Sequence, residues 1–347
     1  MTLPATKDPG MYFGLPEDEY HAAFALSNSG VKHMLVSTLD FWARSPLNPD
    51  RVDERTEFME LGAAYDTRVV SGKEAFYRHY AARVEADDYP GALRTADDIR
   101  AELKALGLKT GGAKSELIER LTAADPNVKI WDAIEAEHAA RHVGKTLLSA
   151  RAIHRIEVAA AMIEKHPILS KCFTGGYPQV SVFWIDEDTK VPMKARLDYL
   201  KPRAVVDLKT FSNPLDKPID RAILSAMAGQ KYHIQAALYL EAAERIAGFI
   251  RDGRVFGVPP AGAWRDAYFN AEDRQFVFVF QATGPAPVAR GKILDNRTAM
   301  DCGRVAVKDA RRLFSYCLEK YGADPWLDEA ALETFDDMQF PAYMFDL

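Results

Sequence analysis

The sequence predicts an α/β (α+β) domain. Its first half is helical, three strand-like runs follow in close succession near its centre, and further helices surround them. The runs are PQVSVFWID (178–186), VPMKARLDYL (191–200) and AVVDLKT (204–210), parted by a polar turn at Glu187-Asp188-Thr189 and by Lys201-Pro202. Connections this short join antiparallel neighbours. An apolar content of 48% over 347 residues supplies one large core or two ordinary ones.

The elements follow in chain order. LSNSGVKHMLVSTLDFWAR (26–44) opens with cap-type serines and then places Val31, Met34, Leu35, Leu39 and Phe41 at helical spacing, which predicts one helix. A second helix is expected over about 54–70, ending near Ser71-Gly72, and a third over 149–166, stopped by Pro167. Beyond the three strands come a long helix over about 219–247, a strand at FVFVFQA (276–282) and a helix over 300–322.

Residues 94–126, RTADDIRAELKALGLKTGGAKSELIERLTAADP, have their own punctuation. Thr95 caps a helix carrying Ile99, Leu103 and Leu106 that stops at Gly107. The turn Thr110-Gly111-Gly112 then leads to a helix with Leu117, Ile118 and Leu121. The charge is nearly balanced, six basic against five acidic residues in 94–121.

Composition narrows the function classes. Three scattered cysteines, Cys172, Cys302 and Cys317, argue for a reducing compartment and are too few for a four-cysteine iron–sulfur cluster. The opening MTLPATKDPGMYFG has no apolar signal core, and no stretch approaches about 18 uninterrupted apolar residues; a soluble cytoplasmic protein with no membrane partner is expected. A net charge of −6 requires any nucleic-acid surface to be local.

VVDLKTF (205–211) carries the chemistry. Asp207 and Lys209 lie two apart on an apolar strand, so their side chains leave from one face. Charges buried together cost desolvation and point to a charged ligand. Asp198, near the end of the preceding strand, comes close to Asp207 across the turn. Two adjacent carboxylates repel unless a cation sits between them, and hard oxygens suit Mg2+ or Mn2+. Downstream, QKYHIQAALYLEAAERI (230–246) spaces Lys231, Gln235 and Tyr239 along one helical face. His233 reads as a packing or phosphate-side residue rather than a metal ligand.

Several resemblances rest on these residues. The segment 94–126, with its LKALGLKTGGAKSELIERL spacing, resembles the SAP motif, a helix–extended–helix DNA-binding module. The D…DxK order of Asp198, Asp207 and Lys209 resembles the PD-(D/E)xK nuclease superfamily, and the following Gln-x-x-x-Tyr resembles RecB-type nucleases and the exodeoxyribonuclease VIII (RecE) family. YHAAFALSNSGVKHML, LGAAYDTRVVSG (61–72), GKTLLSA (144–150) and HPILSKCFTGGYPQVSVFW (166–184) extend the last resemblance over most of the chain outside 90–130. Three positions depart from that family: Asp66 stands where it has a metal-binding histidine, Gln179 where it tends to have glutamate, and Leu197 where the superfamily has its name-giving proline.

The resemblance implies a restriction-endonuclease-like core with a central mixed sheet flanked by helices, formed by 1–92 and 127–347 and interrupted by the SAP-like insert 93–126. It implies a Mg2+-dependent exodeoxyribonuclease, with Mn2+ able to substitute, degrading one strand of linear duplex DNA from 5′ to 3′ for phage-type recombination by single-strand annealing in a bacterial cytoplasm. Asp198, Asp207, Lys209, Gln235 and Tyr239 are the expected catalytic set. Asp66, Asp198, Asp207 and the Leu208 carbonyl are the expected metal ligands, and Lys231, Lys109, Lys114 and Arg120 the expected DNA contacts. Double-stranded DNA ends, an annealing protein and a homo-oligomeric ring are the expected partners. A structure-selective endonuclease on the same core and a non-enzymatic SAP-type adaptor remain the alternatives.

Overall fold

The computed structural model describes residues 3–52 and 56–327. The helices, in chain order, are α1 (Glu17–Ala22), α2 (Asn28–Met34), α3 (Thr38–Arg44), α4 (Glu57–Asp66), α5 (Lys73–His79), α6 (Ala96–Ala105), α7 (Lys114–Ala124), α8 (Trp131–Arg141), α9 (Ala150–Lys165), α10 (Ile219–Gly229), α11 (Tyr232–Arg251), α12 (Gly262–Phe269) and α13 (Arg297–Tyr321). The strands are β1 (Gly10–Tyr12), β2 (Tyr80–Ala82), β3 (Thr146–Leu148), β4 (Tyr177–Ile185), β5 (Pro192–Lys201), β6 (Ala204–Phe211), β7 (Val255–Phe256), β8 (Gln275–Ala282) and β9 (Ala289–Ile293).

A seven-stranded sheet of order β7-β1-β4-β5-β6-β8-β9 forms the centre, and β2 and β3 make a separate parallel pair. The expected meander is present: β4, β5 and β6 pair antiparallel in succession. β8 then joins β6 in parallel, which makes the sheet mixed.

Both faces of β6 are covered, and this is why it reads as an apolar run. Val205 and Phe211 pack into the main core with Ile234 and Leu238 of α11 and Phe314 of α13. Val206 and Leu208 point the other way, to a smaller cluster with Ile163 of α9. Asp207 shares the parity of Val205 and therefore faces α11.

At the β4–β5 turn, Arg311 of α13 meets Asp186 at 3.0 Å and Glu241 of α11 at 2.5 Å, tying both helices to the sheet. The helices touch at Gly303 of α13, where a Cβ would lie 2.4 Å from the His233 carbonyl oxygen and 2.9 Å from Ala237 Cβ.

Residues 93–130 hold a core of their own. Ile99, Leu103, Leu117, Leu121 and Ile130 are buried together, with Leu93, Leu108 and Val128 against them. Thr95 and Asp98 form a reciprocal capping box on α6, and Gly107 takes φ +71°, the left-handed conformation that lets the first helix stop there. Where the segment begins and ends the backbone is paired: the Leu93 N–H donates to the Lys129 carbonyl at 2.8 Å, and the Trp131 N–H to the Leu93 carbonyl at 2.9 Å.

Three expected helices differ from those observed. The single helix over 26–44 is two, because Ser37 caps α3 by accepting from the Leu39 and Asp40 N–H groups. The long helix over 219–247 is broken at Gln230-Lys231, where Lys231 is left-handed (φ 50°, ψ 46°), so Lys231 precedes α11 instead of sharing its face with Gln235 and Tyr239. The helix over 54–70 is α4 followed by a π-helical turn, Thr67–Ser71; its first two residues lie outside the described ones.

Gly303→Ala tests the helix contact. Alanine is the better helix former by about 1 kcal/mol, yet the variant is expected to be less stable by about 1–3 kcal/mol, the usual range for overpacking. Urea unfolding reads the sign, and a stability at or above wild type would mean that α11 and α13 separate freely.

Candidate active site

Five elements, β4, β5, β6, α4 and α11, bring the candidate residues together. The β4–β5 pairs Pro178–Tyr199 and Val180–Leu197 set Gln179 across from Asp198. Asp198 Oδ2 accepts the Leu208 N–H at 3.2 Å, which places it beside Asp207 on β6. Asp207 has 0% exposure. Its Oδ1 accepts from Gln235 Nε2 at 2.6 Å, and its Oδ2 faces Lys209 Nζ at 2.5 Å. The second contact is a short ion pair within the core. Tyr239, one turn beyond Gln235 on α11, is buried and hydrogen-bonds to it.

Asp66, the last residue of α4, reaches the same place from the other side. Its Oδ2 accepts from Gln179 Nε2 at 2.7 Å, and Gln179 Oε1 accepts in turn from Arg196 Nε at 2.9 Å. Gln179 holds this bridging position with φ 50°, a left-handed backbone that costs a non-glycine residue about 1–2 kcal/mol.

The electrostatics couple these groups. Burial, and then the charge of Asp207, push the Asp66 carboxyl up to about 7. The same two causes, with Asp66 added, raise Asp198 well above the ordinary carboxylate range. For Lys209, burial acts downward, but the charges of Asp207 and Asp198 outweigh it and hold the ammonium above its usual range. Burial raises Tyr239 well above its ordinary value, so its hydroxyl keeps its proton.

Among the described residues no group of three or more His, Cys, Asp or Glu side chains is placed to hold a metal ion. The donor chemistry nevertheless fits a hard divalent cation. The charge of Asp207 raises the proton affinity of both Asp66 and Asp198, a concentration of carboxylate oxygen that a divalent cation would relieve. Lys209, the Leu208 N–H and the two glutamine amides are the partners these carboxylates now have.

Of the expected DNA contacts, Lys231 and Lys109 are exposed. Lys114 and Arg120 are already engaged: Lys114 Nζ meets Asp132 of α8 at 2.8 Å and the Arg94 carbonyl at 2.9 Å, while Arg120 donates to the carbonyls of Lys109 and Gly111. Two site neighbours escaped the sequence reading. Arg196 alternates with Asp198 along β5, a mid-strand cation that could have drawn notice. Lys32, inside the quoted N-terminal motif, sends its Nζ to the Gln230 carbonyl at 2.5 Å.

Residues 120–256 match the family model of a PDDEXK-like domain of unknown function (DUF3799), and residues 92–126 match that of the SAP domain. The chain carries a PDDEXK-like domain and a SAP domain. The first match spans Gln179, Asp198, Asp207, Lys209, Gln235 and Tyr239, whereas Lys32 and Asp66 lie outside it. No curated protein matches the sequence. A solved candidate exonuclease from Eubacterium rectale aligns over 91% of both chains at 14% identity and a TM-score of 0.46, a likeness too distant to carry an argument. A PDDEXK-like domain supports a nuclease, and nucleases of this superfamily generally use divalent metals; a SAP domain supports DNA as the partner. Among the described residues no helix is long and apolar enough to cross a membrane.

Gln235→Leu tests the polar anchor of Asp207. It leaves a buried carboxylate oxygen unpaired and is expected to cost about 2–3 kcal/mol in EDTA. The same change in an Asp207→Ala background is expected to cost much less, and equal losses in a double-mutant cycle would disconnect the two residues.

Proposed function

We propose that the chain is a Mg2+-dependent deoxyribonuclease of the exodeoxyribonuclease VIII type, degrading one strand of linear duplex DNA from its end. The observation that carries this reading is the buried Asp207–Lys209 pair beside Asp198, a costly concentration of charge at the centre of a PDDEXK-like domain. The 5′ to 3′ direction, the service to single-strand annealing recombination, the ring assembly, the annealing partner and the bacterial cytoplasm follow from the sequence resemblance.

Asp66, Asp198, Asp207 and the Leu208 carbonyl would hold the cation, which when bound supplies charge neutralisation at the phosphoryl and leaving oxygens. In the hydrolysis, a water oxygen bonds to phosphorus, the bond to the 3′ oxygen breaks, and that oxygen takes up a proton. Lys209, held charged beside the carboxylates, sets an ammonium against the negative charge that develops on the phosphoryl group. Gln235 fixes the rotamer of Asp207, Tyr239 supports Gln235, and Gln179 with Arg196 fixes Asp66.

The SAP domain is read as an insert, 93–126, in a nuclease domain of 1–92 and 127–347. It would add a sequence-tolerant grip on backbone phosphates. Lys109 is free to make such contacts, while Lys114 and Arg120 serve by holding the module's own loop and its neighbour α8.

Linear duplex labelled at either end, incubated beside closed circular DNA with Mg2+ or EDTA, is the deciding assay. Loss of label from the linear substrate alone, and only with metal, is expected; cutting of the circle would make the enzyme an endonuclease. Lys209→Ala is expected to lower kcat by about 10²-fold or more, as removal of one preorganised electrostatic group does, with DNA binding nearly unchanged. Asp66→Ala is expected to raise the Mg2+ concentration needed for activity, and Asp66→His to recover part of it; an unchanged titration would remove Asp66 from the ligand set.

A further inference from the structure

Tyr232, the first residue of α11, stands between two ammonium groups. Lys209 Nζ lies 5.2 Å from the centre of its ring and Lys32 Nζ 5.5 Å. Lys209 is balanced by Asp207, but no carboxylate pairs with Lys32 among the described residues; its hydrogen bond goes to the Gln230 carbonyl. The next residue, Lys231, is exposed and left-handed, and it ends the break that starts α11. No side chain caps that helix; the Ile234 N–H turns back to the Lys231 carbonyl at 3.1 Å, which leaves the Tyr232 and His233 N–H groups at the positive end of a 20-residue helix, beside the lysines. Burial lowers the pKa of Lys32, and Lys209 and Lys231 act in the same direction while Asp207 opposes them. This corner has more positive charge than the chain balances, within reach of a buried carboxylate site.

We propose that Lys32, Lys231 and the uncapped start of α11, gathered around Tyr232, form a cradle for a DNA backbone phosphate adjacent to the one being cut. Phosphate is the anion that fits. It accepts from ammonium and backbone N–H donors together, and in a polymer it arrives at a fixed spacing from the phosphate at Lys209. The left-handed Lys231 gives the cradle its shape: it turns the chain so that α10 ends and α11 begins facing α2. Lys32 is then a substrate-positioning residue supplied by a distant part of the chain, and the N-terminal segment belongs to the DNA-binding surface. The choice of DNA as the anion rests on the nuclease reading.

The test is binding without metal, so that it does not depend on cleavage. The affinity of the full chain for a labelled linear duplex is measured in EDTA over a series of KCl concentrations, for wild type, Lys32→Ala, Lys32→Met and Lys32→Arg. Methionine keeps the aliphatic stem over Tyr232 and drops the charge, so it reports even if the alanine variant folds poorly. One lost phosphate contact is expected to reduce the slope of log K against log salt by about 0.9 and the affinity about five-fold at 0.15 M salt. Lys32→Arg is expected to retain most of both. An unchanged slope in Lys32→Met overturns the cradle, and so does an arginine variant that loses as much as methionine, which would make Lys32 a packing residue. Wild type that binds the duplex but does not cut it with Mg2+ would sink the nuclease reading alone, because the slopes still decide the cradle.

Discussion

A carboxylate with no exposure, Asp207, sits in the middle of a sheet that is covered on both faces, and the arrangement around it follows from giving it partners there. Asp207 needs a cation and a hydrogen-bond donor within the core. Lys209 supplies the first from the same strand, two residues on. Gln235 supplies the second, which requires α11 to start close to β6 and to run along that face. The start of α11 is held by the close approach of α13 at Gly303, and the middle of the helix by Arg311 through Glu241. Helices remote from the carboxylates thereby take part in placing them.

Much of this was legible in the sequence because the relevant spacings are local. A two-residue offset on a strand and a four-residue offset on a helix have fixed geometric meanings, so Asp207 with Lys209 and Gln235 with Tyr239 fell on common faces as read. The hairpin that brings Asp198 to Leu208 was equally readable from its short turn. The helix breaks were not. Val31, Met34 and Phe41 all reach one core, so the apolar pattern continues across the interruption at Ser37 and hides it. Lys231 adopts the left-handed region without being Gly or Asn, and no local signal marks such a residue. The charges in 94–126 were counted as available, whereas Lys114 and Arg120 spend their donors on carbonyls and an aspartate that only the folded chain brings near.

The acidic balance of the whole chain and the cationic corner beside α11 describe different length scales. At ordinary salt, charges farther apart than about 8 Å scarcely feel one another through solvent. A net charge of −6 over the whole chain therefore does not set the local potential at Tyr232, where Lys32 and Lys209 are close by.

The paired backbone at Leu93 and Lys129–Trp131 changes what kind of device the SAP domain is. A domain hung from one flexible tether searches a sphere, and its contribution to binding is set by the length and stiffness of that tether. A domain whose two chain crossings are hydrogen-bonded side by side is joined instead through a paired neck: its two ends move together, and they cannot part without breaking both bonds.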